Sequence, residues 1–185
     1  AYNILTVYAI AFLLDKDKEE IIKVLSNLGS VSGRFDYIMS PHKLMAIVDY
    51  AHTPDAVSRI LDSVREFKAG RVIGILGCGG DRDKGKRPLM GEALNKGCDL
   101  PIFTSDNPRS ENPEVILQEM VAGLKHNGEV ISDRHEAIKK AVSMAKAGDV
   151  VAILGKGHEV GQEIAGVKHP FDDRQVLAQA IASLK

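Results

Sequence analysis

The sequence predicts an α/β protein, a Rossmann-like, doubly wound, mostly parallel sheet preceded by two helices of a different character. Three observations carry that expectation. From Lys43 onward, short apolar runs alternate with amphipathic stretches, the pattern of βαβ units whose strands are buried on both faces. The loops after four of those runs are rich in glycine, charge or histidine, where such sheets hold their ligands. The 185-residue chain is also 44% apolar and 26% charged, ordinary proportions for a globular protein.

Charge and cysteine usage narrow the function classes. Against 25 Asp and Glu stand 24 Lys and Arg, a formal net charge of −1, so there is no basic excess of the kind that makes a general nucleic-acid binder. No apolar run approaches the roughly 18 residues a membrane span needs. Cys78 and Cys98 form no CxxC pair, which points to neither a zinc site nor a disulfide framework. The expectation is a cytoplasmic protein with reduced thiols and neither nucleic-acid nor membrane partners.

The elements follow in order. Ala1-Tyr2-Asn3-Ile4 carries no initiator Met and no signal peptide, and it leads into an apolar stretch, Ile4 to Leu14, expected in the middle of a buried helix. Asp17 to Leu28 predicts a second helix with Ile21, Ile22, Val24, Leu25 and Leu28 at core spacing. Asp15 or Asp17 caps it, Glu19 and Glu20 favour the dipole, and Gly29 stops it. This opening reads as cut from something longer: residues 1–39 as the tail of a preceding domain, 40–185 as the domain proper.

Leu44 to Val48 is then a strand ending in Asp49, followed by a helix near Pro54 to Phe67. A strand at Arg71 to Gly77, a helix near Pro88 to Lys96 and a strand at Leu100 to Ser105 continue the alternation. Asn112 caps a helix from Pro113 to Lys125, with Pro113 at its first position. A short strand at Glu129 to Ile131, a helix at Arg134 to Ala147 and the strand Asp149 to Gly155 follow. A hairpin around Gly166 and a helix from Arg174 to Leu184 close the chain.

The rule that ligands sit beyond the carboxyl ends of the strands selects four loops: Asp49 to Pro54, Gly77 to Pro88, Ser105 to Glu111 and Gly155 to Glu159. In the second, Gly77-Cys78-Gly79-Gly80-Asp81-Arg82 invites a dinucleotide reading, but Arg82 stands where the third fingerprint glycine belongs. Gly80 to Lys86 matches the start of a phosphate loop, yet Arg87 replaces the hydroxyl residue that holds magnesium, and Asp81 and Asp83 would repel phosphate. Either this loop is a solvated turn or its cations, Arg82, Lys84, Lys86 and Arg87, meet an anionic group.

Asp106-Asn107-Pro108-Arg109 sets a carboxylate, an amide and a guanidinium around a turn stiffened by Pro108. Arg109 can clasp a carboxylate with two parallel hydrogen bonds, though a plain turn before a helix fits as well. Gly155-Lys156-Gly157-His158-Glu159 can offer backbone amides to an anion and Glu159 to an ammonium group. His158 has no metal spacing, so no metal site is expected in this chain. Asp49 can accept sugar hydroxyls or serve as a helix cap ahead of Thr53-Pro54. His42, His126 and His169 read as surface residues, and His135 as part of a helix start.

Together, VDYAHTPDA (Val48 to Ala56), GCGGDRDKGKRPLMG (Gly77 to Gly91), DNPR (Asp106 to Arg109) and GKGHE (Gly155 to Glu159) resemble, in this order, the Mur ligases. The Asp-Asn-Pro-Arg variant resembles the type that adds meso-diaminopimelate; in lysine-adding relatives that Arg is replaced. The resemblance implies three domains, for the UDP sugar, for ATP, and a Rossmann-like one for the incoming amino acid, in peptidoglycan synthesis. It implies an acyl phosphate on a UDP-N-acetylmuramoyl dipeptide, attacked by the amine. It further implies that Asn3, Arg34, Asp49 and His52 contact ATP, and that Arg82, Asp106, Asn107, Pro108, Arg109, Gly155 and Glu159 form the diaminopimelate site. The family's phosphate loop, Mg2+ ligands and carbamylated lysine are not matched in this chain, so no catalytic residue is assigned and the chain alone is expected to be inactive. The competing expectation is a stand-alone Rossmann-like module that binds an amino acid or nucleotide; a folate-type ligase domain shares the architecture but lacks the last two motifs.

Overall fold

A computed structural model describes residues 2–27, 33–40, 43–66, 70–125 and 128–184, which fall into two compact units, Ala1–Val31 and Ser32–Lys185. The first unit holds α1 (Tyr2–Leu13) and α2 (Lys18–Ser26). Asp17 caps α2, its carboxylate accepting from the Glu19 and Glu20 amides at 3.0 and 2.9 Å. Leu28 and Gly29 lie outside the described residues. The expectation of a buried first helix is not met: Ile4, Leu5, Val7, Ile10, Phe12 and Leu13 are each more than half exposed. The apolar residues of α1 lie all round the helix, and α2, with Ile21 as its buried residue, presents a single face to pack against.

The second unit is built on a six-stranded sheet of order β1-β2-β6-β3-β4-β5. Its strands are β1 (Asp36–Met39), β2 (Met45–Asp49), β3 (Val72–Leu76), β4 (Leu100–Phe103), β5 (Glu129–Val130) and β6 (Val150–Leu154). All neighbours are parallel except β1, which runs antiparallel to β2 in the register Asp36↔Val48 to Met39↔Met45. The helices are α3 (Pro54–Glu66), α4 (Lys86–Gly97), α5 (Pro113–Val121), α6 (Arg134–Met144) and α7 (Asp173–Ala182). A separate hairpin, β7 (Gly161–Ile164) and β8 (Val167–Pro170), turns through Ala165 and Gly166, both at positive φ as a tight hairpin turn demands.

Continuous apolar strands are explained by burial on both faces. Val150, Ala152 and Leu154 of β6 face one core with Ile47, Val72, Leu76 and Phe103, where α3, α4 and α5 pack. Val151 and Ile153 face the other with Ala46, Val48, Ile73 and Ile75, where α6 and α7 pack. Each buried Val, Leu or Ile contributes about 1.5–3 kcal/mol. The spacing of Val57, Ile60, Leu61 and Val64 on α3 matches that core.

Two differences from expectation have physical causes. β1 carries no strand signal because a four-residue edge strand buries one face only, with Tyr37 and Met39 exposed. Its pairing with β2 places it in the second compact unit. α4 begins at Lys86, ahead of Pro88, because proline fits the first turn of a helix without costing a bond.

The topology positions the site. The chain steps outward from β2 to β5 with α3, α4 and α5 on one face, then α6 returns along the other and inserts β6 between β2 and β3. β2, β6, β3 and β4 are therefore consecutive neighbours, and the four loops singled out above rise side by side from their carboxyl ends.

Candidate functional site

Close backbone approach brings the loops together. A Cβ on Gly77 would lie 2.5 Å from the Thr104 carbonyl and 2.7 Å from the Asp106 amide, so only glycine lets the β3 and β4 loops touch there. Gly155 turns the β6 loop at φ +107 and its amide donates to the Asp49 carbonyl at 3.1 Å. Gly80 donates to the Asn107 carbonyl at 2.8 Å. The result is a cavity of about 370 Å³ bordered by His52, Arg82, Asp106, Asn107, Arg109, Gly155 and Glu159.

The Asp106–Arg109 turn is gripped by the hairpin. Gln162 Nε2 donates to the Asp106 carbonyl at 2.7 Å, and the Glu163 amide to Asn107 Oδ1 at 3.0 Å. The Arg109 amide donates to the Glu163 carbonyl at 3.0 Å, and the Ala165 amide to the Arg109 carbonyl at 2.7 Å. These bonds hold Arg109 at φ +52, a left-handed backbone that arginine rarely adopts. Its guanidinium donates through Nη1 to the Gly80 carbonyl at 2.7 Å, while Nε lies 3.6 Å from Glu163 Oε2. Pro108 is buried beside the cavity rather than on its wall, and shapes the turn.

Beneath the turn lies Lys156, whose side chain is 0% exposed. Its Nζ donates to Asp106 Oδ1, Asn107 Oδ1 and Glu159 Oε2, each at 3.1 Å. Asn107 Nδ2 also donates to Glu159 Oε2, at 3.0 Å. Burial pushes the Glu159 carboxyl up, but the Asn107 hydrogen bond and the Lys156 charge outweigh it and hold the group below the ordinary glutamate range. Cys78, on the cavity wall, is pushed up to about 12 by burial and then by Asp106, so it is a thiol rather than a thiolate nucleophile.

The β3–α4 loop is organised differently from the repelling carboxylates expected of it. Asp81 accepts from Ser110 Oγ at 2.6 Å and from the Ser110 amide at 3.2 Å, while Asp83 accepts from the Gly85 amide at 2.9 Å. Arg87 is buried against Glu111 and Glu119, at 2.8 and 2.6 Å. Arg82 stays exposed, leaning on the Asp81 carbonyl at 3.1 Å.

The residues expected to contact ATP are spread. His52 lines the cavity with its ring tilted against Tyr50, ring centroids 4.7 Å apart. Asp49 does not cap α3; Thr53 does, accepting from the Ala56 amide at 3.2 Å. Both Asp49 oxygens instead accept backbone amides, from Phe35 at 2.7 Å and Ala51 at 2.8 Å, which ties the segment carrying the exposed Arg34 to the end of β2. Asn3 is exposed on α1 of the first unit. Among the described residues, no group of three or more His, Cys, Asp or Glu side chains is placed to hold a metal ion. His169 is exposed and His135 lies in the first turn of α6; His42 and His126 fall outside the described residues. Lys156, Gln162 and Glu163 escaped the sequence reading, although Lys156 sits inside a motif already singled out; nothing in the sequence marks that side chain as the one turned inward.

A doubly wound domain that gathers cations, carboxylates and a stiffened turn at its strand ends has the chemistry to suit small zwitterionic or anionic ligands there. Residues 33–157 match the Mur ligase, glutamate ligase domain, and the chain belongs to that family. It is 53% identical over 189 residues to a UDP-N-acetylmuramoyl-L-alanyl-D-glutamate–2,6-diaminopimelate ligase of Parabacteroides distasonis, a match covering 99% of this chain and 39% of the relative. A solved ligase of the same name superposes with a TM-score of 0.80 at 41% identity, covering 98% of this chain and 38% of that one. The chain thus spans about two fifths of the length of these relatives. The FolC protein of E. coli, solved in complex with ADP, matches at 25% identity with a TM-score of 0.58 over 76% of this chain and 32% of that one. No helix among the described residues is long and apolar enough to cross a membrane.

Proposed function

We propose that this chain is the amino-acid-recognising part of an ATP-dependent ligase that adds meso-diaminopimelate to UDP-N-acetylmuramoyl-L-alanyl-D-glutamate in peptidoglycan synthesis. The observation that carries the reading is the convergence of Arg82, Asn107, Arg109, Gly155 and Glu159 on one cavity. Diaminopimelate has two zwitterionic ends. One is bound by complementary charge, with Arg109 facing a carboxylate and Glu159 an ammonium group, so that the amine at the other end stays available to react. Asp106 and Pro108 shape that subsite. The similarity to named diaminopimelate ligases over 99% of the chain supports the same substrate.

In this reading the two leading helices end the ATP-binding domain, and the second unit carries residues that meet the nucleotide. His52 on the cavity wall and Arg34 on the segment fastened by Asp49 suit an anionic, stacked ligand. ATP with Mg2+ supplies the activating phosphoryl group, and the acceptor dipeptide meets parts of the ligase beyond this chain. By itself the chain does not turn over ATP: its phosphate-loop-like run has Arg87 where magnesium needs a hydroxyl. The test is calorimetric titration of the chain with meso-diaminopimelate and with L-lysine. Binding of the first with at least about tenfold preference is expected; equal affinity for both overturns the reading.

A further inference from the structure

We propose that Lys156 is the positioning residue of the amino-acid site, a buried ammonium that fixes the Asn107 amide and holds the carboxylates of Asp106 and Glu159 together so that Glu159 can receive a ligand's ammonium group. The proposal deepens the amino-acid-ligase reading and rests on it for the identity of the ligand.

The geometry leaves Lys156 little other role. Its three Nζ protons meet three acceptors at 3.1 Å, and each acceptor belongs to a residue on the cavity wall. Lys156 itself does not border the cavity and is 0% exposed, so it acts through those residues rather than on a ligand. With Asn107 Oδ1 engaged by Lys156 and by the Glu163 amide, the amide is left one orientation, in which Nδ2 donates to Glu159. Glu159 then keeps one oxygen on this network while its side chain stays about a third exposed toward the cavity.

Charge explains why a lysine is needed. Asp106 and Glu159 share one ammonium, and without it they become like charges confronting each other across a partly buried space. The other charged or titratable groups around Glu159 are Arg109 from the β4 loop, His158 from its own loop, Arg134 from α6, and Glu163 and Lys168 from the hairpin. The two arginines keep their charge whatever happens at Lys156, and they soften the effect without taking the place of three direct bonds. A neutral residue at 156 therefore drives Glu159 to bind a proton nearer neutral pH. Protonated Glu159 no longer attracts an ammonium group, so ligand affinity must then fall as pH falls.

The experiment compares the wild-type chain with Lys156→Met, close in length but uncharged. Carboxyl 13C signals give the Glu159 titration midpoint without ligand, and calorimetry gives meso-diaminopimelate affinity at pH 8 and pH 6. The midpoint is expected below the ordinary glutamate value in wild type and far above it, close to neutral pH, in Lys156→Met. Affinity should drop about ten- to hundredfold at pH 8, as expected for lost charge-assisted bonds, and at least about threefold more at pH 6, with wild type nearly flat between the two. An unmoved Glu159 midpoint, or an equal loss at both pH values, overturns the proposal by reducing Lys156 to a packing residue. Failure of the wild-type chain to bind diaminopimelate overturns the ligand assignment, while the Glu159 midpoint still decides the role of Lys156. Should Lys156→Met not fold, 15N spectra of wild type decide: a Lys156 ammonium protected from exchange and shifting as Glu159 titrates supports the proposal, and free exchange with water refutes it.

Discussion

Arg134 and Lys156 are both buried cations under the same row of strand ends, yet their surroundings differ in kind. Arg134 forms a two-bond pair with Asp173, Nε to Oδ1 at 2.8 Å and Nη2 to Oδ2 at 2.7 Å, and both side chains are 0% exposed. It also donates to the Leu154 carbonyl at 3.0 Å, fastening α6 and α7 to the end of β6. Burial works against its charge, and Asp173 more than restores it. Lys156 has partners that reach the cavity, with Asp106 16% and Glu159 34% exposed. A closed pair spends its charge on itself and serves the fold. An open cluster keeps acceptor capacity at the surface, where a ligand can complete it.

Breaking the closed pair should produce the largest effect on stability. Asp173→Ala leaves the Arg134 charge buried and unpaired, a loss of about 3–5 kcal/mol read from urea unfolding. The joint replacement Arg134→Met with Asp173→Leu should recover most of it, since the cost lies in the orphaned charge rather than in the missing attraction. If Asp173→Ala unfolds no more easily than wild type, the contrast between closed and open clusters is wrong.

A third cluster lies between the two and sharpens the comparison. Arg87 is 1% exposed, but its partners Glu111 and Glu119 are 17% and 36% exposed. The Arg87 hydrogen bond, with that of the Asp81 amide, holds the Glu111 carboxyl down to about 2 from an ordinary 4.5. Because the folded value is depressed, this contribution is complete above about pH 4.5 and is lost as pH falls toward 2. Stability measured in urea from pH 5 to pH 2 should decline along that limb, and Glu111→Gln should flatten it. An identical acid limb in the variant would separate Glu111 from the acid response.

Much of this was legible in the sequence, for reasons the structure makes plain. Strands buried on both faces must be continuously apolar, which is why β2, β3, β4 and β6 could be placed from their runs of Val, Ile and Leu. The four loops were legible because strand order, not side-chain detail, decides where a doubly wound sheet holds its ligand. The exceptions share one cause. β1 exists only through its pairing with β2, the Asp49 carboxylate is claimed by an amide fourteen residues earlier in the chain, and Lys156 turns inward because three acceptors from two loops surround it. Each depends on contacts distant in sequence, and a motif read residue by residue carries no record of them.

The central claim is that the cavity beside the open cluster recognises a second carboxylate, and Arg109 on its wall tests it most directly. Diaminopimelate differs from lysine by that one group, and a guanidinium 22% exposed on a pinned turn gains a charged partner when it is present and keeps only the Gly80 carbonyl and the long Glu163 contact when it is not. Calorimetry on wild type, Arg109→Ala and Arg109→Lys, with both amino acids, measures the preference. The account predicts that Arg109→Ala lowers diaminopimelate affinity about ten- to several-hundredfold and collapses the preference over lysine, with Arg109→Lys restoring it only in part because an ammonium cannot reproduce the planar fork. An unchanged diaminopimelate-to-lysine preference in Arg109→Ala would contradict it.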